Sequence, residues 1–292
     1  MKQSKKIFAL GFFDGVHLGH QALLEACARW QQSRGWEVAC ITFDRHPMSL
    51  FSDTPPVLIN SLEDRQTLLR RYGVKHIHTV AVNERSMGVS WDVFLEDLLA
   101  DGAEGFVCGY DFRFGRGGAG TAEKLRRFCA EREKMVQIIP EQLLEGIRVS
   151  STHIRSLLES GDVKTATEFM GHRHILSGEV VPGRQLGRTI GVPTANILIP
   201  DGVVVPKHGV YACVAEVEGQ KFAAVTNIGS RPTVGGHQVR AESWLLDFEG
   251  DLYRKKLTLE FAEFLRPEQK FDSLEELKEQ IHLDAVKTTE LL

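Results

Sequence analysis

The segment IFALGFFDGVHLGHQALLEA, residues 7–26, constrains the fold more than any other part of the chain. It places an apolar run, a glycine-containing turn and a helical pattern in immediate succession. In an open parallel sheet, ligands bind at the carboxyl ends of the strands, and a helix N-terminus offers unpaired N–H groups to anions. The segment therefore predicts an α/β sheet with an anion site directly after its first strand.

The rest of the first half continues this pattern. Short apolar runs alternate with amphipathic segments, which is typical of parallel strands joined by helical crossovers. Helices are predicted after Ser90, where apolar residues recur at helical spacing, and over residues 162–170. Ser61 and Asp64 form a capping box for another helix, which Gly73 is placed to end. The predicted strands are residues 7–11, 38–43, 76–82, 105–109 and 135–139.

After about Gly171 the turn residues become dense and the apolar runs shorten. Two hairpins are predicted, one pairing residues 211–217 with 222–228 and the other pairing 243–248 with 256–261. A final helix should begin at Ser273, since Glu276 completes a capping box. The second half is therefore expected to be a small antiparallel β-barrel with a terminal helix, and the domains to be residues 1–172 and 173–292.

Charge and composition narrow the classes of partner. A net charge of −4 argues against a broad nucleic-acid or membrane-surface footprint. Lys2, Lys5 and Lys6 precede the first apolar run as in a signal peptide, but Asp14 ends the run and no small-residue cleavage site follows. The five cysteines contain no CxxC pair. We expect a cytoplasmic protein without nucleic-acid, membrane or obligate protein partners.

His17 and His20 are the first candidates for chemistry, because residues three apart share one side of a helical turn. Gly19 between them lets a phosphate approach the backbone. Transfer of a nucleotidyl group requires donors and positive charge where negative charge accumulates, and two imidazoles at a helix N-terminus supply both. A structural histidine pair or two ligands of a zinc site are the alternatives. The strand, the turn and Asp14 favour phosphate chemistry, and no third ligand stands at metal-site spacing.

A second motif, VSSTHIR at residues 149–155, offers hydroxyl groups at a helix start and an arginine fork suited to phosphate. Alone it is a helix cap, but with GFFDGVHLGH it resembles the HxGH nucleotidyltransferases. TFDRHP (42–47) and GYDFRFG (109–115) narrow the resemblance to the bacterial bifunctional riboflavin kinase/FMN adenylyltransferases, also called FAD synthetases. The resemblance implies a Rossmann-like nucleotidyltransferase domain with His17, His20 and Arg155 as catalytic residues. Its implied ATP- and flavin-binding residues are Gly11, Phe13, Asp14, Asp111, Ser150, Ser151 and Thr152.

The second half lacks a GxxxxGK[ST] phosphate loop, so a second ATP reaction requires another cradle. Residues 177–197, SGEVVPGRQLGRTIGVPTANI, contain glycines whose N–H groups can converge on phosphate, followed by oxygen donors suited to Mg²⁺. Spacing alone favours a glycine-rich loop between strands. The segment is similar, however, to the GRxLGxPTAN motif of riboflavin kinases, which implies that Glu242 is the catalytic base. The implied ligands of ATP are Gly183, Gly187, Arg188, Thr194 and Asn196, the last two also binding magnesium.

The resemblance implies two ATP-dependent reactions, riboflavin to FMN in the second half and FMN to FAD with release of pyrophosphate in the first. Riboflavin, FMN, FAD and ATP are the expected ligands, with Mg²⁺ as cofactor. A riboflavin kinase with one working half and a catalytically silent flavin-binding regulator are the alternatives; an aminoacyl-tRNA synthetase is disfavoured by the short chain and the lack of a KMSKS-type loop. The sequence departs from the family's motifs at Arg45, His153, Pro182 and Trp244.

Overall fold

The structure, a computed structural model, describes residues 4–183, 191–233 and 236–292. Gly187 and Arg188, both predicted to bind ATP, lie outside the described residues. Contacts divide the chain into two compact units, one formed by Met1–Leu58 with Arg65–Ser151 and the other by Ile59–Asp64 with Thr152–Leu292. Within the described ranges, none of the helices combines the length and apolar character needed to cross a membrane.

The first unit contains a five-stranded parallel sheet in the order β3-β2-β1-β4-β5. All five residues of β1 are buried, because this central strand is covered on both faces. From β1 the chain adds β2 and β3 on one side and then β4 and β5 on the other, so the order of the strands reverses between β1 and β4, which is where open α/β sheets bind ligands. The predicted parallel sheet is confirmed. Its strands are β1 (Lys6–Leu10), β2 (Glu37–Phe43), β3 (His76–Val80), β4 (Ala103–Gly109) and β5 (Met135–Ile139).

Helical crossovers join these strands. The apolar stripe predicted after Ser90 is helix α4, whose buried Leu95 and Leu98 pack in one cluster with Phe106 of β4. Only half of the capping box predicted for α2 is present: Ser61 Oγ accepts from the Asp64 amide at 3.1 Å, but it also donates to the Asp64 carboxylate at 2.9 Å, which takes the place of a bond from the Ser61 amide. These elements are α1 (Leu18–Arg34), α2 (Leu62–Arg71), α3 (Glu84–Met87), α4 (Trp91–Ala100) and α5 (Ala122–Glu131), followed by the short strands β6 (Leu143–Leu144) and β7 (Ile147–Arg148).

The second unit begins with two helices, α6 (Ser151–Ser160) and α7 (Val163–Met170), apart from the first residue of α6. Helix α7 matches the predicted helix over 162–170: Asp162 accepts from the Thr165 amide at its start, and Gly171 ends it at a φ of 71°. Glycine adopts this left-handed conformation without the steric cost of a Cβ atom.

A six-stranded antiparallel sheet follows, in the order β8-β13-β10-β11-β12-β9. A single backbone pair between Val181, just beyond β8, and Asn196 of β9 brings the two edges together, so the sheet forms a nearly closed barrel. The terminal helix α8 packs on one side through Ala285. This confirms the predicted barrel with a terminal helix. The elements are β8 (His174–Glu179), β9 (Ala195–Leu198), β10 (Gly209–Val217), β11 (Gln220–Thr233), β12 (Gly236–Leu245), β13 (Lys256–Arg266) and α8 (Leu274–Leu291).

One predicted hairpin is confirmed and the other is wrong. Strands β10 and β11 pair around a tight turn at Glu218 and Gly219, both with positive φ. Strands β12 and β13 do not pair, because β12 lies between β11 and β9 whereas β13 lies between β10 and β8. The connection over residues 246–255 is longer than a hairpin loop and includes Asp247 and Arg254 in left-handed conformations. It carries the chain to the far edge of β10.

Candidate active sites

A cavity of about 220 Å³ opens at the carboxyl ends of β1, β4 and β5 in the first unit. The cavity therefore lies directly after the first strand, where the sequence predicts an anion site. Of the predicted site residues, Gly11, His17, His20, Asp111, Ser150 and Ser151 line this cavity.

The turn between β1 and α1 shapes one wall of the cavity. A Cβ at Gly11 would lie 3.1 Å from the Phe13 ring, which explains the glycine. Phe13 and Val16 have φ values of 60° and 38°, a conformation that is unfavourable for residues with a side chain. Phe13 and Asp14 are buried behind the wall, where the Asp14 carbonyl accepts from Ser151 Oγ at 2.9 Å. They shape the cavity without lining it.

The two histidines form a stacked pair. Their ring centroids are 3.7 Å apart at an interplanar angle of 18°. His17 is the N-cap of α1, and its Nδ1 accepts from the His20 amide at 3.4 Å, so the other ring nitrogen, Nε2, is left to carry the proton. A Cβ at Gly19 would lie 3.1 Å from the His17 ring, so glycine makes room for this arrangement.

Burial lowers the pKa of His20 well below its ordinary value, and the charges of His17 and Arg65 lower it further. His20 is therefore neutral near pH 7 and can act as an N–H donor. The lowered pKa favours this donor role over the positive charge that the sequence leads one to expect at His20.

Arg148 was missed by sequence reasoning and lines the same cavity. Its guanidinium forms ion pairs with Asp111 and, at 3.1 Å, with Glu141, which also accepts from the Tyr110 hydroxyl at 3.0 Å. Exposed ion pairs of this kind contribute little to stability. Their effect is to hold a cation at the mouth of the cavity. The available signal was its position, immediately before the VSST segment.

Two predicted residues of the VSSTHIR motif, Thr152 and Arg155, belong to the second unit. There Arg155 Nη2 donates to Thr152 Oγ1 at 3.2 Å. Two departures from the family's motifs also have structural partners. The His153 ring lies edge-on to Phe169 at 4.7 Å, and Arg45 donates to a backbone carbonyl at 2.7 Å.

The second unit presents a polar row across three neighbouring strands. Glu242 of β12 lies directly opposite Asn196 of β9 on one side and Asn227 of β11 on the other. Side chains at directly opposite positions share one face of a sheet. The register thus brings the predicted catalytic carboxylate beside two amides that are far away in sequence.

A cavity of about 410 Å³ lies over part of this row and is lined by Thr194, Asn227 and Glu242. Trp244, one of the residues that depart from the family's motifs, also lines the cavity, and its ring meets that of His282 of α8 edge-on at 5.5 Å. The cavity is therefore a slot that is largely apolar, with polar groups at one part. The apolar walls are formed by residues of the second unit, including α8: Val192, Val210, Val225, Leu274, Leu277 and Ile281.

Charged pairs position the rim of this slot. Arg266 binds the Asp284 carboxylate through Nε at 3.0 Å and Nη2 at 2.8 Å, which ties the end of β13 to α8. Glu268 accepts from Asn227 at 3.1 Å, and the lack of a side chain at Gly229 leaves room for its carboxylate. Sequence reasoning assigned none of these residues to the site, because their relation depends on strand register.

Thr194 also lines a smaller cavity of about 70 Å³ with Asp251 and Tyr253, so it stands at the boundary between two cavities. Nearby, a Cβ at Gly183 would lie 2.5 Å from the Asn196 side chain, which requires the glycine. Asn196 Oδ1 is buried and has no hydrogen-bond partner within the described part of the chain. Pro182, another departure, precedes Gly183 and takes no part in either cavity.

The described residues contain no cluster of three or more His, Cys, Asp or Glu side chains that could hold a metal ion. Thr194 and Asn196, the predicted magnesium ligands, are not of these four residue types.

Comparison with known proteins relates both units to flavin enzymes. The FAD synthetase family model matches residues 1–153, and the riboflavin kinase family model matches residues 170–292. A bifunctional riboflavin kinase/FMN adenylyltransferase of Bacillus subtilis is 33% identical over 97% of this chain and 91% of its own length. The chain belongs to the bifunctional riboflavin kinase/FMN adenylyltransferase family.

Other members of this bifunctional family are equally similar. The Escherichia coli K12 protein of the same name is 36% identical over 97% of this chain and 92% of its own. A crystal structure described as a macrolide-efflux protein from Streptococcus pneumoniae has 30% identity and a TM-score of 0.87, covering 99% of this chain and 95% of that one. The fold that this chain shares with that crystal structure thus extends over almost all of its residues.

Proposed function

We propose that this chain converts riboflavin and ATP to FMN and ADP in its second unit, and then FMN and a second ATP to FAD and pyrophosphate in its first. The names and order of the two matched segments support this assignment. The observation that carries it is a pair of cavities, one in each unit, the first lined by His17 and His20 and the second by Thr194 and Glu242. We also propose that the functional division between the activities lies at residues 172/173.

In the kinase reaction, the apolar slot between the barrel and α8 accepts the flat isoalloxazine ring beside Trp244. The ribityl chain then extends toward Glu242, whose carboxylate accepts the proton of the primary hydroxyl as that oxygen attacks the γ-phosphorus of ATP. The bond from the γ-phosphorus to the bridging oxygen breaks, and ADP leaves. The γ-phosphate end of ATP would lie at the smaller cavity, next to Thr194, which borders both spaces.

Thr194 and Asn196 fit a magnesium ion by donor type, since Mg²⁺ prefers oxygen ligands. The buried Asn196 Oδ1, which has no partner among the described residues, is the observation that favours such a ligand. When bound, the ion would neutralise charge on the ATP phosphates. Gly183 keeps the space beside the amide open.

In the adenylyltransferase reaction, a phosphate oxygen of FMN attacks the α-phosphorus of ATP and pyrophosphate leaves. His17 and His20 donate N–H groups to the oxygens on which negative charge accumulates. Arg148 adds a cation at the mouth of the cavity, and Ser150 adds a hydroxyl group. Thr152 and Arg155 remain proposed nucleotide ligands because of their motif.

The test is chromatographic separation of products from the full chain with riboflavin, ATP and Mg²⁺. Wild-type protein should yield FMN first and FAD later. Glu242→Gln should stop FMN formation yet convert supplied FMN to FAD, whereas His17→Ala should accumulate FMN. Folded wild-type protein that makes neither product would refute the proposal, and FMN alone would favour the single-activity kinase.

We also propose a reducing, cytoplasmic location. All five cysteines are free and buried in the structure, so the fold does not depend on disulfide bonds.

A further inference from the structure

Arg65 on α2 is a fully buried arginine, with 0% of its surface exposed. Arginine remains protonated in proteins, and burying its charge is unfavourable unless hydrogen bonds and opposite charges compensate. A buried arginine is therefore expected to make specific hydrogen bonds with its neighbours.

Its Nη1 holds the carboxyl ends of two central strands. It donates to Thr42 Oγ1 at 3.0 Å and to the carbonyl oxygens of Phe43 at 2.9 Å and Phe12 at 3.4 Å. Thr42 in turn donates to the same Phe12 carbonyl at 2.8 Å. The guanidinium carbon also lies 4.6 Å from the centre of the Phe12 ring. These contacts fix the chain one residue before the left-handed Phe13.

Electrostatic interactions link Arg65 to residues on both sides of it. On one side, burial lowers the pKa of Arg65, whereas its electrostatic interactions with Asp14, Asp44 and Cys40 raise it. On the other side its charge contributes, after burial and His17, to the low pKa of His20. Its Nε and Nη2 are buried without hydrogen-bond partners in the part of the chain that the structure describes. Among the described residues, no carboxylate forms a direct ion pair with the Arg65 guanidinium.

We propose that Arg65 is a positioning residue for adenylyl transfer. It holds the turn from Phe12 to Val16 in the conformation that sets the two stacked histidines, and it supplies fixed positive charge behind them. This inference rests on the proposed adenylyltransferase activity of the first unit. It assigns no contact with substrate to Arg65.

The experiment compares Arg65→Met, which removes the charge, and Arg65→Lys, which keeps the charge without the planar fork. Arg70→Met is the matched control, because Arg70 is exposed on the same helix. The kinase reaction of each full-length variant reports whether its second unit is intact. Arg65→Met should lower kcat for FAD formation by about 100-fold, since a misplacement of about 1 Å can cost that much. Arg65→Lys should lose roughly tenfold, and the KM for FMN should change less than kcat in both.

A second measurement does not require activity. Titration of the His20 ring by NMR in the full chain should show a higher pKa in Arg65→Met than in wild type, and no change in Arg70→Met. Wild-type kcat in either Arg65 variant, or an unchanged His20 pKa in folded Arg65→Met, would overturn the inference. If Arg65→Met does not fold, kcat and the titration in Arg65→Lys decide, with the charge effect on His20 expected to persist. Wild-type protein that makes no FAD would instead refute the proposed function.

Discussion

Replacing His174 by leucine should make the second unit less sensitive to acid. His174 lies on β8 with 1% of its surface exposed, and its ring is 5.4 Å from that of Phe261. Neither ring nitrogen has a hydrogen-bond partner among the described residues. Burial lowers the pKa of His174 to about 3, and the charge of His172 contributes in the same direction.

The sign follows from proton binding. An unfolded chain protonates this histidine below about pH 6.5, whereas the folded unit excludes the proton until about pH 3. The free energy of unfolding is therefore unaffected by this group above pH 6.5 and falls as the pH drops below it. At about pH 5 the loss relative to about pH 8 is roughly 2 kcal/mol. Leucine removes this dependence.

At neutral pH the two effects of the substitution oppose each other. Removing buried nitrogens without partners gains roughly 1–3 kcal/mol. Losing the ring contact with Phe261 costs about 0.5–1.5 kcal/mol. His174→Leu should then be as stable as wild type or slightly more stable near pH 8, and clearly more stable near pH 5.

Hydrogen exchange by mass spectrometry can measure this in the full chain, by comparing β8 and β13 peptides of variant and wild type at the same pH. Comparison at one pH cancels the intrinsic exchange rate. His208→Leu is the control, because His208 is exposed in the same unit. An equal difference in protection at both pH values would refute the reasoning, since it would mean that His174 protonates alike in the folded and unfolded states.

Three further substitutions test the two sites. Gly19→Ala should lower kcat for FAD formation by about tenfold with the kinase unaffected, because its Cβ would press on the His17 ring at 3.1 Å; steady-state assays of both reactions measure it. Asp284→Asn should destabilise the second unit by about 3–5 kcal/mol in urea unfolding, since it leaves the Arg266 charge unpaired in a largely buried place. Asn196→Ala should raise the Mg²⁺ concentration that half-activates the kinase by roughly tenfold, and an unchanged requirement would exclude Asn196 as a ligand.

Local patterns in the sequence were sufficient for most of the fold. Strand β5 has the predicted bounds, and α8 begins after Ser273, which accepts from the Glu276 amide at 3.2 Å. The prediction failed where partner choice decides the structure. Alternating residues indicate that β12 and β13 are strands, but not that β9 takes the remaining edge of β12.

The same limit applies to the candidate sites. His17 and His20 are neighbours in sequence, so a helical period was enough to place them together. From the sequence, Arg65 looks like an ordinary charged residue of an amphipathic helix, because its partners come from distant segments, the turn after β1 and the end of β2. Asn227 became visible only through the register that sets it opposite Glu242.

Because residues 59–64 belong to the second unit, the coding sequence of that unit is discontinuous. In that unit Asn60 donates to the carbonyl of Ile175 at 3.2 Å, and Asp64 accepts from the Ser177 amide at 3.3 Å, so this short segment binds β8. A chimera that exchanges only residues 173–292 between relatives would separate β8 from its matched segment. Recombination of the two activities therefore has to transfer two separated stretches of coding sequence, and selection on the kinase extends into the coding region of the adenylyltransferase.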